Sequence, residues 1–573
     1  MKSDQDLYKQ LRDLPKEELW AREVPRFDAA QARERLERVA VVRAVGMIFS
    51  RFGTDEEQAV IRAWLINLLK DPQEKIRRYA LAALPKIGAG EVGEREMLAL
   101  LKTGNKDKEG RETRYLGRAL EKVGGEATLA LIKEGIELPA MTVQKVKAGV
   151  SRREDAGGVL LDALLPLRHG DADMRVLLRC RRGLEDFVRE EAEEKLSPRE
   201  WLIESAKPGC VTLKPLKEFK LASLYQLRCF ATMAFPLGTV SGEEGPKWVE
   251  PLARCIASER ARDLMLSGTE NAPRYRLEFA GGGHQRGAIR QVIDRAYALC
   301  PEILNDARQA PWSIDVLATN RGESSVELRP RLYPDPRLGY RQDDIAAASH
   351  PPLAACMARL AGYCDDEVVW DPFCGSGLEL IERGLLGGVT AVHGTDLDPR
   401  AIEVARANVE AAKIEGMETE ITSSFTECDF RNAAIAPGSI SLIITNPPLG
   451  RRVRIKDMQG LFADLYAAAS RALRVGGRLV FVNPLRTEPE DPTLQREYQR
   501  TVDLGGFNCR LEMYRKVAAG KLGKSFKNSS KSQPGKKHQE KSKADEKTPV
   551  PAPAWWSKGG HANSREARRR ARN

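Results

Sequence analysis

The motif DPFCGSG, from Asp371 to Gly377, has the residue types of a ligand-binding turn. It follows the apolar run EVVW and precedes the helical pattern LELIERGLL, so the motif is a strand-to-helix turn. Gly375 and Gly377 let the backbone approach a ligand closely, and Asp371 can accept a hydrogen bond from an ammonium group. We place Pro372 and Phe373 in the same cofactor-binding turn. Alone, such a turn also fits a nucleotide phosphate or no ligand.

Two acidic residues follow the glycine turn at the ends of further predicted strands. Asp396 comes nineteen residues after Gly377, in VHGTDLDP, where a carboxylate can accept both ribose hydroxyls. Asp429, in ECDFRN, could receive an adenine amino group, with Phe430 against the ring. This order favours an adenosyl ligand. The turn lacks the Lys-Ser/Thr pair of phosphate sites, which favours S-adenosylmethionine over a nucleoside triphosphate.

The motif NPPLG, from Asn446 to Gly450, follows the apolar strand SLIIT and would lie at the carboxyl edge of the sheet. Pro447 and Pro448 restrict the backbone, so that the Asn446 side-chain oxygen and the Pro447 carbonyl can accept hydrogens from one planar NH2 group. This orients the nitrogen lone pair toward a methyl sulfonium, and catalysis is mainly positioning. The motif predicts methylation of a planar amine or amide.

NPPLG resembles the fourth motif of amino-methyltransferases, which is Asn or Asp, Pro, Pro and an aromatic residue. Here Leu449 stands in the aromatic position, which removes the usual ring for stacking on a flipped base. Leu449 can still form an apolar lid. Arg451 and Arg452, with Arg454 nearby, are candidates for binding substrate phosphates or a base; a solvated basic loop is the alternative.

Alternating strands and helices from about 341 to 516 predict the α/β domain that positions these motifs. The pattern is typical of a doubly wound, Rossmann-like parallel sheet. The predicted strands are EVVW, TAVHGT, SLIIT and RLVFV, with CRLEMYRKV as an antiparallel edge strand and PRAIEVARANVEAA as one of the helices.

Residues 169–340 mix helix and strand and predict an α+β substrate-handling region. We expect a strand at Val176–Cys180, a helix opening near Gly183, and strands near Ser313–Ala318 and Ser325–Leu328. The stretch RYRLEFAGGGHQRGAIRQVIDRAYALCPEIL predicts a strand, a glycine turn and a helix.

Residues 54–168, after an N-terminal helical segment at 1–53, contain a loose repeat. WLINLLKDPQEKIRRYALAALPKIGAGE recurs as EMLALLKTGNKDKEGRETRYLGRALEKVGGEA, so that Leu84 aligns with Leu120 at a period of 36 residues. Each copy ends at a glycine that can take the left-handed helix-stop conformation. The pattern resembles HEAT-like helical repeats, which could bind a protein partner; an ordinary helical bundle is the alternative.

Composition limits the class of protein. The 573 residues are 42% hydrophobic without an apolar stretch long enough to cross a membrane, and the N-terminus lacks a secretory signal, so we expect a cytoplasmic protein. Ten scattered cysteines and six histidines show no metal-ligand spacing, and we expect no metal. From residue 516 onward the net charge is +12, against −1 for residues 1–515. Residues 517–573 therefore predict a disordered basic tail that can contact RNA or merely stay solvated.

Three segments resemble the THUMP-domain RNA methyltransferases, which methylate guanine N2 in tRNA or ribosomal RNA. They are RCRRGLEDFVREEAE, YRLEFAGGGHQRGAIRQVIDRA and the linker RLGYRQDDIAAASHPPLAACMARLAG, and the resemblance covers roughly residues 170 to 516. It implies a THUMP-like RNA-binding region at 169–340 and a class I methyltransferase domain with a seven-stranded sheet at 341–516. For His350, in the linker, we expect packing at a helix start rather than a substrate contact.

Three functions from different classes are compatible with these residues. The first is an RNA guanine N2-methyltransferase acting on structured tRNA or rRNA. The second is a DNA amino- or protein glutamine N-methyltransferase, because a glutamine side chain presents the same planar NH2 group to Asn446. The third is an inactive methyltransferase-fold scaffold. Intact Gly375, Gly377, Asp396 and Asn446 argue against the third, whereas Leu449 keeps the second open.

Overall fold

Two compact units divide the chain. The computed structural model describes residues 4–102, 110–154, 158–169, 172–241, 246–280, 286–318, 323–346, 348–414, 417, 420–450 and 455–519. The first unit contains the chain up to Leu160, Thr239–Glu278 and residues 286–314. The second contains Leu161–Gly238, residues 279–280 and the described residues from Asp315 onward. The predicted tail lies outside the described residues beyond 519.

The elements are numbered here along the chain. The α-helices are α1 Asp4–Arg12, α2 Lys16–Glu18, α3 Val24–Ala29, α4 Ala32–Glu37, α5 Ala40–Phe52, α6 Asp55–Leu68, α7 Glu74–Ile87, α8 Gly90–Lys102, α9 Arg111–Val123, α10 Glu126–Lys133, α11 Ala140–Glu154, α12 Glu185–Lys195, α13 Val249–Ile256, α14 Glu259–Ser267, α15 Arg286–Leu299, α16 Pro351–Ala361, α17 Leu378–Gly384, α18 Pro399–Ile414 and α19 Met458–Ala472. The strands are β1 Leu164–Leu165, β2 Arg168–His169, β3 Ala172–Asp173, β4 Val176–Arg179, β5 Trp201–Lys207, β6 Cys210–Pro215, β7 Phe219–Lys220, β8 Thr232–Ser241, β9 Arg274–Phe279, β10 Leu304–Asn305, β11 Trp312–Ala318, β12 Glu323–Pro330, β13 Glu367–Asp371, β14 Val389–Asp396, β15 Thr422–Glu427, β16 Ile440–Thr445, β17 Leu473–Asn483, β18 Leu494–Asp503 and β19 Asn508–Lys516.

The first unit is built mainly from helices, and from α5 to α11 each helix packs against the next helix but one along the chain. Helix α7 packs on α5 and on α9, and α9 packs on α11, while α6 contacts α8 and α8 contacts α10. Leu84 and Leu120, which are equivalent in the sequence repeat, are both fully buried. Gly88 ends α7 with a positive φ of 86° but a ψ of 122°, and Gly124 after α9 has a φ of −55°. The left-handed helical stop is therefore wrong for both copies, and the HEAT-like assignment stays a prediction.

The second unit contains a seven-stranded sheet in the order β15-β14-β13-β16-β17-β19-β18. Neighbouring strands from β15 to β17 pair in parallel, and β19 is antiparallel to both β17 and β18. The predicted strands and the antiparallel β19 are confirmed. The strand predicted before Asp429 is β15, which ends at Glu427. The sequence did not predict β18, because LQREYQRTVD is too polar to form an apolar run.

Strand order determines where a site can form. After β13 the chain adds β14 and β15 on one side and then crosses to β16 on the other. Such a switch leaves a crevice at the carboxyl ends of the strands that flank it. Strand β16 is buried along its whole length, so side chains immediately after it emerge at that crevice edge.

A buried ion cluster lies around the start of β13. Glu367 and Arg383 are fully buried, and Arg383 Nε lies 2.7 Å from Glu367 Oε2. Arg478, on β17, donates to the other Glu367 oxygen and to the Ala361 carbonyl. One buried carboxylate is therefore the shared counter-ion of two guanidinium groups inside the unit.

Five strands of a second, eight-stranded sheet, in the order β12-β8-β4-β6-β5, lie mainly in this unit, and β5 and β6 pack against α12. Gly183 has a φ of 97°, and a Cβ at this position would lie 2.1 Å from the Thr501 carbonyl oxygen of β18. Arg500 pairs with Glu185 at 2.9 Å and with Asp186. The mixed helix and strand content agrees with the prediction, although α12 begins two residues after Gly183.

Candidate active site

Three predicted site residues meet at one edge of the seven-stranded sheet. Asp371 is the last residue of β13, Asp396 is the last residue of β14, and Asn446 follows β16 directly. Because these strands are parallel and adjacent, their carboxyl ends lie at the same edge. The sheet thus brings together the glycine turn, the ribose candidate and the NPP motif.

The glycine turn is tied directly to Asp396. Gly375 and Gly377 have φ values of 51° and 82°, a region that favours glycine. The Gly377 amide donates to the Cys374 carbonyl at 2.7 Å, which closes the turn before α17. The Gly375 amide donates to Asp396 Oδ2 at 3.0 Å. This hydrogen bond fixes the position of Asp396 relative to the glycine turn.

Two buried carboxyl groups lie behind the turn. Asp371 Oδ1 accepts a hydrogen bond from the Phe373 amide at 3.0 Å, while Asp371 Oδ2 and Glu379 Oε1 have no hydrogen-bond partner among the described residues. Burial, and then the charge of Glu379, raise the pKa of Asp371 well above its usual range. Burial raises the pKa of Glu379 to about 7, opposed by a hydrogen bond from Ser349. A ligand ammonium would relieve this repulsion between like charges.

Asp396 retains acceptor capacity. Its Oδ1 accepts from the Asp398 amide at 3.0 Å and its Oδ2 accepts from Gly375. A carboxylate has about four lone-pair sites, so two remain for hydroxyl donors. Asp396 is half-buried, which leaves it accessible to a ligand. Its assignment to the ribose stays a prediction with compatible geometry.

The adenine candidates are already engaged within the protein. Asp429 accepts from the Arg431 amide at 2.9 Å and pairs with the Arg431 guanidinium at 2.8 Å. Phe430 is only 3% exposed, and its ring centroid lies 4.8 Å from that of Phe373. Phe373 is more accessible than Phe430. An adenine contact by Asp429 would use a carboxylate already bound to Arg431, and this assignment remains untested.

The side-chain amide of Asn446 has a hydrogen-bonded NH2 group and a carbonyl oxygen without a donor. Its Nδ2 donates to Ser349 Oγ at 2.9 Å, and its Oδ1 is a buried acceptor without a donor among the described residues. Pro372 and Pro447 are buried, whereas Pro448 and Leu449 are half-buried. The predicted substrate residues Arg451 and Arg452, with Arg454, lie outside the described residues.

Residues 341–346 and 348–350, which the sequence did not assign to the site, lie beside it. The amides of Gln342 and Asp343 donate to Asn408 Oδ1 at 2.9 and 3.3 Å, and Asn408 Nδ2 donates to the Ser376 carbonyl at 3.0 Å. A Cβ on Gly375 would lie 3.4 Å from Ile345 Cδ1. The sequence could have indicated Glu379 as a site residue, because it is an acid in the first turn of the apolar pattern LELIERGLL. We found no comparable signal for Ser349.

His350 occupies the N-cap position of α16 and its Nδ1 is buried without a partner. Burial lowers its pKa to about 3, and the positive charges of Arg181, Arg337 and Arg341 act in the same direction. His350 is therefore neutral at physiological pH. This placement is compatible with the expected packing role.

These residues fit S-adenosylmethionine. Asp371 Oδ2 and Glu379 Oε1 are acceptors that an ammonium group would satisfy, Asp396 can accept hydroxyl donors, and Gly375 and Gly377 carry no side chains of their own in the turn. In the described part of the chain, no group of three or more His, Cys, Asp or Glu residues is arranged to hold a metal ion. No helix in that part is long and apolar enough to cross a membrane.

Comparisons with known proteins find that the same residues are similar to a methyltransferase family. Residues 338–509 match the family described as UPF0020: RMKL-like, methyltransferase domain. The tRNA (guanine(10)-N2)-dimethyltransferase of Methanothermobacter thermautotrophicus is 31% identical over 187 residues, which are 32% of this chain and 49% of that protein. The ribosomal RNA large subunit methyltransferase K/L of Marinomonas sp. is 29% identical over 216 residues, or 30% of each chain.

A solved structure, that of TrmN from Thermus thermophilus, is 21% identical with a TM-score of 0.46 and covers 60% of this chain and 100% of its own. The chain spans about half, or less, of the length of the two curated relatives. The family match covers the glycine turn, Asp396 and the NPP motif. Residues 338–509 are therefore a methyltransferase domain similar to the RMKL-like family.

Proposed function

We propose that the protein is an S-adenosylmethionine-dependent RNA methyltransferase that modifies an exocyclic amino group, guanine N2, in tRNA or rRNA. The observation that carries the proposal is Asn446, whose Oδ1 is a buried acceptor at the carboxyl edge of the sheet. Guanine N2 is a planar amine that can donate to it. The names of the two curated relatives support guanine N2 and RNA as acceptor.

The residues of the chain act mainly by positioning. Asn446 Oδ1 accepts one hydrogen of the substrate amine and directs the nitrogen lone pair, and the buried Pro447 limits movement of that backbone. Asp371, Glu379 and Asp396 hold the cofactor through its ammonium and hydroxyl groups. Bound S-adenosylmethionine supplies an electrophilic methyl group. No described side chain is required as a strong base, because the amine can lose its proton to solvent after transfer.

The other regions have proposed roles that follow from the resemblance. The THUMP-like region at 169–340 would bind structured RNA, and the HEAT-like repeats at 54–168 would extend the surface for a protein partner. A DNA amine or a protein glutamine remains a second class of acceptor, because each presents a planar NH2 group. Half-buried Leu449 offers an apolar contact to any of them.

A labelling experiment tests the acceptor class. The purified protein is incubated with methyl-labelled S-adenosylmethionine and separate pools of RNA, DNA and protein. We expect label in RNA, recovered as N2-methylguanosine by mass spectrometry of nucleosides. Label only in DNA or in protein glutamine would replace the proposal with the second class. No transfer to any pool, by a protein that binds the cofactor, would support the inactive scaffold.

Arg486 is a candidate for contact with the RNA backbone. It is exposed, makes no side-chain hydrogen bond or ion pair with the described residues, and follows the carboxyl end of β17, the strand beside β16. We expect Arg486→Ala to weaken RNA binding several-fold and to reduce the slope of log K against log salt by about 1, as one lost phosphate contact would. Filter binding at several salt concentrations measures both quantities.

Arg474 provides a matched control for this variant. It is exposed, has no side-chain partner among the described residues, and lies near the amino end of the same strand, away from the site edge. Arg474→Ala removes the same charge and should leave RNA binding nearly unchanged. Equal effects of the two variants would indicate a general charge effect and no phosphate contact at Arg486.

A further inference from the structure

The stacked helices of the first unit separate charge between two layers. One layer consists of α5, α7 and α9, which pack on one another in that order, and the other consists of α6, α8 and α10. Helices α5, α7 and α9 carry ten Lys and Arg against three acids, whereas α6, α8 and α10 carry four against seven. The positive charge of the helical stack is therefore concentrated on one layer.

Each of the three acids in the basic layer already has a basic partner. The pairs are Arg77–Glu112 at 2.5 Å, Arg78–Glu74 at 3.0 Å and Lys145–Glu121 at 2.6 Å. The other bases of α5, α7 and α9 therefore have no free acid in their own layer.

Three of these other bases recur at the ends of the helices. Arg51, Lys86 and Lys122 follow one another at intervals of 35 and 36 residues, and each lies in the last turn of its helix. All three are exposed, and none has an acidic partner or a hydrogen bond among the described residues. We call these three residues the basic row.

Helix packing brings the basic row to one end of the layer. The Arg77–Glu112 pair joins the first turns of α7 and α9, so these helices run the same way and their last turns lie at the same end. Short loops lead from α5 through α6 to α7 and reverse the chain twice, and α5 packs on α7. Helices in contact have axes about 8–10 Å apart, which sets the approximate spacing of the row.

Helix capping does not account for Lys86. A base in a last turn can donate to the final carbonyls of its helix. The carbonyls of Ile87 and Gly88, at the end of α7, instead accept from Arg62 at 3.3 and 2.6 Å. The ammonium group of Lys86 is therefore left for a ligand or for solvent.

Like charges repel one another along the row. Partial burial lowers the pKa of Lys86, and the positive charges of Arg43, Lys122 and Arg51 lower it further. This repulsion agrees with the proximity that the helix packing implies. A polyanion bound here would relieve it.

RNA fits this surface better than an acidic protein does. The centre of a protein interface is usually apolar and aromatic, whereas α5, α7 and α9 expose one large hydrophobic side chain, Phe52. A nucleic acid backbone needs only cations, and it binds them by releasing its own counterions. The bases of the row have no ion pair that must first be broken.

We propose that the basic row binds phosphates of the RNA backbone, which gives the protein an RNA contact in its helical layers in addition to those of the methyltransferase domain. The inference rests on the proposed function for RNA as the polyanion. The layer of α6, α8 and α10 remains for the protein partner.

Binding of total tRNA to the full-length protein tests the row. We expect the triple variant Arg51→Gln, Lys86→Gln, Lys122→Gln to raise the Kd about tenfold at about 0.1 M salt. The slope of log K against log salt should fall by about 2 to 3, as the loss of three phosphate contacts requires. The triple variant Arg51→Lys, Lys86→Arg, Lys122→Arg keeps the charges and should keep the wild-type Kd. Both quantities come from filter binding over a range of salt concentrations.

The matched control removes three bases from the other layer. Arg95, Lys102 and Lys133 are exposed, have no side-chain partner among the described residues and lie on α8 and α10. The variant Arg95→Gln, Lys102→Gln, Lys133→Gln should change the Kd by less than about twofold. Equal losses in the two glutamine variants would overturn the inference, as would a wild-type Kd and slope in the first.

Poly-glutamate distinguishes an acidic protein from RNA. If it displaces tRNA from the row at an equal concentration of negative charge, an acidic protein surface replaces RNA as the partner and the inference is wrong. If the wild type methylates no acceptor, the proposed function fails, while tRNA binding still decides the inference. If RNA is methylated and the variant of the row binds it normally, the inference fails alone.

Discussion

Replacement of Asn446 by alanine should lower the turnover number of methyl transfer by about 10²- to 10³-fold, the loss typical of one preorganised hydrogen-bonding group. The alanine variant removes Oδ1, the buried acceptor that positions the substrate amine. Cofactor affinity should be nearly unchanged, because the proposed cofactor contacts come from the glycine turn, Asp396 and the carboxyl pair. Single-turnover kinetics with N2-methylguanosine detection, and calorimetry with the cofactor, measure the two quantities.

Asn432 is a matched control for this substitution. It is an exposed asparagine in the turn that follows β15 in the same sheet, and its side chain makes no hydrogen bond with the described residues. Asn432→Ala should retain wild-type turnover. If Asn446→Ala retained turnover as well, the assigned role of Asn446 would be wrong. If it lost cofactor binding and turnover together, Asn446 would belong to the cofactor site instead.

Replacement of Glu367 by alanine should destabilise the second unit by about 3–5 kcal/mol, because removal of one partner leaves buried charges uncompensated. Glu367 is fully buried and pairs with both Arg383 and Arg478. Without the carboxylate, the guanidinium groups of Arg383 and Arg478 lose their shared counter-charge. The urea midpoint, followed by a probe in this unit such as the fluorescence of buried Trp370, gives the change in the free energy of unfolding.

Replacement of Glu410 is the control for loss of a carboxylate that is not buried. It pairs with Lys413 at 3.0 Å on α18, and its side chain is 64% exposed. Glu410→Ala should cost less than about 1 kcal/mol, since exposed ion pairs contribute little. A loss below about 1 kcal/mol for Glu367→Ala would mean that the two arginines find other acceptors or water. Glu367→Gln keeps the shape of the side chain, and its loss of unfolding free energy should lie between those of Glu367→Ala and Glu410→Ala.

The α/β domain could be predicted because its strands are short, apolar and followed by turn residues. The runs at β13, β14, β16 and the end of β17 alternate with helical patterns, and burial of both sheet faces requires that composition. The polar edge strand β18 escaped prediction, because an edge strand needs little apolar surface. The other edge strand, β15, was predicted only through the acid that follows it, Asp429.

The helical repeat was predicted less completely. The 36-residue period identified Leu84 and Leu120 as equivalent core positions, and both are fully buried. The same period also predicted equivalent helix stops, but Gly124 takes an extended conformation. Side-chain burial follows helical periodicity closely, whereas the conformation after a helix depends on where the next helix must begin.

The sequence by itself determined the glycine turn, Asp396 and the Asn446 motif, because each is a local pattern at the end of a strand, and parallel strands bring their carboxyl ends to one edge. Tertiary structure alone decided which way the Asn446 amide faces. Its hydrogen-bond partner Ser349 is 97 residues away in the sequence. Hydrogen-bond direction and burial depend on residues that meet only after folding, and a one-dimensional motif carries no record of those contacts.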